Sequence, residues 1–124
     1  RYRNAARRHW RARTASAERV FLITRGCGME ILYRCLDEAD LAKVAHVVAL
    51  GPVGWNSLPV SCTLVQGRED WISRLFFSRC DVVLPGLGHM DYLDDPRVLQ
   101  FTNERLCGST LNLQEPGCIS PGGD

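Results

Sequence analysis

Few side chains in this sequence stand where chemistry is usually done, at turns and at the ends of apolar runs. His89 follows Gly86-Leu87-Gly88, Asp70 follows Gly67-Arg68-Glu69, and Cys27 sits between Gly26 and Gly28. An imidazole, a carboxylate and a thiol are side-chain types able to serve acid–base or nucleophilic chemistry. Taken alone, His89 reads as an ordinary turn histidine. Asp91, Asp94 and Asp95 cluster as a cation site would, but helix capping accounts for two of them and metal-ligand spacing is absent, so no metal is assigned. Nor does any Cys-x-x-Cys or clustered His suggest zinc, and no cofactor is implied. His46 falls inside an apolar run and is expected in the core, whereas His9 falls in a basic stretch and is expected in solvent.

The elements that must position these residues alternate between strand-like and helix-like periods, the pattern of an α/β domain with a parallel sheet of about four strands and flanking helices. Val20, Phe21, Leu22 and Ile23 form a continuous apolar run, expected as a strand buried on both faces, that ends at Gly26-Cys27-Gly28. Met29, Ile31, Leu32, Tyr33 and Leu36 then take helical spacing. Further strands are expected at residues 43–50, 61–66 and 81–84. The loop after residue 50 carries two Gly and two Pro, with Trp55 folded onto the surface. Asp94 or Asp95 is expected to cap a last helix with Pro96 in its first position. An open parallel sheet places its sites beyond the carboxyl ends of its strands, here residues 24–29, 51–57, 67–73 and 85–91.

With 124 residues, 45% of them hydrophobic, the chain suffices for one domain and one core. A formal charge of +1 excludes a uniformly basic nucleic-acid binder and an acidic disordered tail. The charge is segregated, however: residues 1–19 hold seven Arg against Glu18. We therefore expect a basic N-terminal helix over residues 1–18, whose arginines suit RNA, an anionic lipid or an acidic protein surface equally well. Its acid-free first 16 residues also have the composition of a mitochondrial transit segment. The six cysteines are too sparse for a disulfide scaffold and lie mostly beside apolar runs, so reduced thiols and an intracellular compartment are expected, with Cys107 and Cys118 the one pair placed to bridge. No apolar run approaches the roughly 18 residues of a transmembrane segment. Residues 108–124 lack any period and are expected as an extended or disordered tail.

Read together, the four loops resemble the C-terminal half of an α/β-hydrolase, closest to the small lipases and esterases; the resemblance covers roughly residues 5–107, with the hydrolase-like half-domain over 19–107. The most specific segment is LPGLGHMDYLDDP, residues 84–96, where the family presents its catalytic histidine, here His89. TLVQGREDWIS, residues 63–73, matches the segment that supplies the acid, here Asp70, in the order the family requires. RVFLITRGCGMEILYRCL, residues 19–36, has the shape of the strand, nucleophile elbow and helix. That elbow should read small-x-Ser-x-Gly; here it reads Thr24-Arg25-Gly26-Cys27-Gly28, so Gly26 stands where the serine belongs. Cys27 comes one residue too late to replace it, and its backbone N–H corresponds to one oxyanion donor. Arg25 and Met29 depart from the family's usual small or His residues.

The resemblance thus implies a catalytically inactive α/β-hydrolase-like domain serving as a structural or scaffold subunit of a larger assembly. It further implies that another chain, or another part of a longer polypeptide, covers the edge formed by Val20 to Ile23, because a bare apolar edge is an aggregation template. The alternative is a carboxylic ester hydrolase fragment or serine-to-glycine variant, with Gly26 marking the nucleophile, His89 the base and Asp70 the acid of a Ser-His-Asp triad. A binding module that keeps the vestigial pocket for a small acyl ligand is a third.

Overall fold

In a computed structural model of the chain, residues 2–110 are described, the side chains of 107–110 excepted. The expected Cys107–Cys118 pairing and the segment 111–124 lie outside the described residues. Four strands alternate with helices: α1 (Tyr2–Thr14), β1 (Val20–Arg25), α2 (Gly28–Cys35), the single turn α3 (Glu38–Leu41), β2 (Val44–Leu50), β3 (Cys62–Gly67), α4 (Trp71–Phe76), β4 (Val82–Leu84) and α5 (Pro96–Thr110). All strand pairs are parallel and the sheet order is β1-β2-β3-β4, so each strand lies beside its sequence neighbour.

The VAHVVAL sequence of β2 explains its interior place. With a side-chain period of two, Val48 and Leu50 enter one core with Val65, Leu87, Tyr92 and Val98. Val47 and Ala49 enter the other with Met29, Val44 and Leu58, against which Trp10 of α1 also packs. Both faces of this strand are therefore covered, as parallel sheets demand. β1 is the edge strand expected, but it is half-buried rather than buried on both faces, with Ile23 50% exposed. His46 is likewise not a core residue. It is half-buried on the sheet, its two ring nitrogens held at 2.8 Å by Ser61 Oγ and Thr63 Oγ1. Burial, and secondarily the charge of Arg105, lowers its pKa.

Helix ends follow local chemistry. Asp95, rather than Asp94, caps α5 by accepting from Arg97 N at 2.8 Å, and Pro96 opens the helix as expected. α5 runs past Gly108, where the tail was expected to begin, to Thr110; one glycine inside a helix costs only about 1 kcal/mol. The short α4, not anticipated from the sequence, is capped by Asp70, which accepts from Ser73 N at 2.9 Å.

The basic helix is bound down by its own arginines. Arg11 bonds Asp40 at 2.8 Å and Asp37 at 3.0 Å, and Arg7 Nε donates to the Cys35 carbonyl at 3.1 Å. These pairings raise the Arg11 pKa and, with the Asp37 contacts, hold the Asp40 carboxyl below the usual carboxylate range against the opposing effect of its burial. Two of the arginines offered by the sequence to an outside partner are thus engaged internally, while Arg3, Arg8 and Arg13 stay exposed. No helix among the described residues is long and apolar enough to cross a membrane. Cys27, Cys35, Cys62 and Cys80 are free thiols.

Candidate active site

The chemistry gathers where β1, β2, β3 and β4 end. Gly26 follows β1 at φ +59°, a left-handed conformation that L side chains rarely adopt, and a Cβ placed on it would meet no atom within 4 Å. Its N–H donates to the Leu50 carbonyl at 3.0 Å and its carbonyl accepts from Val53 N at 3.0 Å, fixing the turn against the end of β2. Two residues on, a Cβ at Gly28 would lie 3.1 Å from Thr24 Cβ, so strand and helix cross closely there. The turn is a sharp strand-to-helix bend with an open tip at Gly26 and a crowded crossing at Gly28. Cys27 is the N-cap of α2, and its exposed side chain is not at the tip. Met29, read from the sequence as a departure at the crossing, is a core residue, 1% exposed.

Asp70 follows β3 and is fully buried. Its Oδ1 accepts from Ser73 N, and its Oδ2 accepts from His89 Nδ1 at 2.9 Å and from the Tyr92 hydroxyl at 2.6 Å. The Tyr92 oxygen in turn accepts from Gly67 N at 2.8 Å. With Asp70 accepting from the Nδ1–H, the neutral imidazole keeps its lone pair on Nε2, the arrangement of an oriented general base. His89 is 23% exposed, positioned by a turn in which Gly86 takes φ +73° and Gly88 N donates to Asp91 Oδ2 at 3.0 Å. Burial, and then the bond to Asp70, raises the Tyr92 phenol far above its ordinary range, so it serves only as a neutral donor and acceptor.

The end of β2 closes against this pair. A Cβ at Gly51, which takes φ +54°, would fall 2.5 Å from Tyr92 Cε2 and 2.7 Å from Asp70 Oδ2. Gly26 is bonded to Leu50, Gly51 abuts Asp70, and Asp70 holds His89, so the three residues singled out in the sequence share one edge of the sheet. Asp91 and Asp95 are engaged with Gly88 N and Arg97, and among the described residues no three His, Cys, Asp or Glu side chains are grouped to hold a metal.

Two contributors escaped sequence reasoning. Tyr92 is one; a buried tyrosine needs a partner for its hydroxyl, but nothing local says that the partner is 22 residues upstream. Glu30 is the other. Although on α2, it is buried and accepts from Trp55 N and Asn56 N at 2.9 Å and from Arg34 Nε at 2.7 Å, tying the loop after β2 to the helix after β1. Arg34 chiefly, then the Asn56 and Trp55 donors, outweigh burial and lower its pKa to about 2. Trp55 lies on the surface, edge-on to Phe76 with ring centroids 4.9 Å apart. The thiol of Cys80 is pushed up to about 11, mostly by burial and then by the charges of Asp81 and Asp70, and is no nucleophile near neutral pH. No protein-family model matches the chain, and no curated protein matches it in sequence.

Proposed function

We propose that this chain is an α/β-hydrolase-like domain whose ester-cleaving site lacks its nucleophile, and that it serves as a structural subunit of a larger protein assembly. The observation that carries this reading is Gly26. It stands at the tip of a left-handed strand-to-helix bend with open space in front of it, on the same edge as an Asp70–His89 pair in acid-to-base order. That is the conformation and surrounding a nucleophile elbow requires. Glycine supplies no oxygen or sulfur to attack a carbonyl, and without the nucleophile the base has nothing to activate. Losing the nucleophile of such a unit costs on the order of 10⁶-fold in turnover.

The scaffold role rests on the β1 edge, where Ile23 is half exposed and the strand has a neighbour on one side only. A protein partner that covers this edge removes an aggregation template. Hydrolysis of p-nitrophenyl butyrate tests the catalytic half. We expect the unmodified chain to match its His89→Ala variant, both at the buffer rate. Turnover by the unmodified chain that is lost in His89→Ala would overturn the reading.

A further inference from the structure

α1 and α2 leave a trough of about 430 Å³ between them, with Ala5 and Ala6 on one side, Leu32 and Leu36 on the other, and Trp10 within it. The trough exists because two consecutive residues of α1 stop at Cβ; the same positions filled by larger residues would close it. Its size falls in the range of about 300–1,000 Å³ typical of small-molecule sites. It shares Tyr2 and Cys35 with a neighbouring concavity of about 480 Å³ bordered by Arg3, Asn4 and Arg34. Among the described residues, no acidic side chain lines either space.

Arg34 is held by Glu30 through one N–H at 2.7 Å, which leaves the other donors of its guanidinium for a guest. Glu30 itself is occupied by the Trp55 and Asn56 donors. Arg7 donates to the carbonyl of Cys35, in the wall common to both spaces, and Arg3 is exposed at the mouth. An apolar trough that opens on two guanidinium groups selects a guest with an apolar tail and an anionic head, because carboxylates are bound by charge-assisted bonds while the tail leaves water.

We propose that this trough is a binding site for a free, single-chain fatty carboxylate, with its tail between Ala6 and Leu36 and its head between Arg3 and Arg34. The inference is independent of the proposed hydrolase-like role, since it uses neither Asp70 nor His89. Calorimetric titration of the full chain with monomeric dodecanoate tests it, alongside dodecyltrimethylammonium, which has the same tail and the opposite charge. Tryptophan emission of a Trp55→Phe/Trp71→Phe chain, in which Trp10 is the remaining indole, reports occupancy of the trough itself. We expect saturable one-to-one binding of dodecanoate with a blue shift of Trp10, and at least about tenfold weaker binding of the cation. Arg3→Glu, at an exposed position, should weaken dodecanoate at least about tenfold, and Ala6→Phe, checked for an unchanged circular dichroism spectrum, should abolish its binding. Equal affinity for both amphiphiles, binding that survives Ala6→Phe, or association only with phosphatidylglycerol vesicles would overturn the proposal.

Discussion

Gly26 and Gly51 both take positive φ, yet their surroundings differ. At Gly26 a Cβ meets nothing, so Gly26→Ser should cost only the left-handed backbone penalty of about 1–2 kcal/mol. At Gly51 a Cβ collides with Tyr92 and with Asp70 Oδ2, two buried groups without room to retreat, so Gly51→Ala should cost more than about 2 kcal/mol. Urea unfolding of the two variants checks the order, and equal losses would contradict it. The contrast also shows what a sequence can reveal of a site. That Asp70 and His89 lie on loops at strand ends was legible because each stands on a glycine-marked turn after an apolar run, and they meet at 2.9 Å. Tyr92 and Glu30 were not, since an aromatic in an acidic loop and a carboxylate on an amphipathic helix look like surface residues until their distant partners are placed.

Glu30 joins two elements, and its protonation should uncouple them. Its pKa is lowered from 4.5 to about 2 in the folded chain. Its contribution to stability is thus fully present above pH 4.5 and is lost as the pH falls toward 2. We expect the urea midpoint of Glu30→Gln to fall less steeply than that of the unmodified chain across this window; parallel slopes would contradict the clamp. The strands were readable from their apolar runs, and α5 from Pro96. α4 was missed because its six residues span too few turns to show a period and its capping residue, Asp70, had been read solely as chemistry. The docking of α1 was also hidden, because an arginine that bonds Asp40 cannot be told in sequence from one that faces water.

For the molecule as a whole, the sheet order leaves β1 at an edge, with Ile23 exposed beside a groove of about 350 Å³ lined by Leu93, Val98 and Leu99. The run of apolar residues in β1 pointed to a strand covered on both faces; instead it is half-buried, with Ile23 50% exposed. The chain on its own should therefore self-associate as its concentration rises, and Ile23→Lys should suppress this, as charged residues do on natural edges. Sedimentation velocity reads the outcome, and a unmodified chain that stays monomeric at high concentration would contradict the covered edge. The central claim, that the bend at Gly26 is an elbow emptied of its nucleophile, is tested most directly by intact-mass analysis after exposure to a fluorophosphonate. We predict no adduct on the unmodified chain, a single adduct on Gly26→Ser, and loss of that adduct in Gly26→Ser/His89→Ala. An adduct on the unmodified chain, or a folded Gly26→Ser chain that takes none, would contradict it.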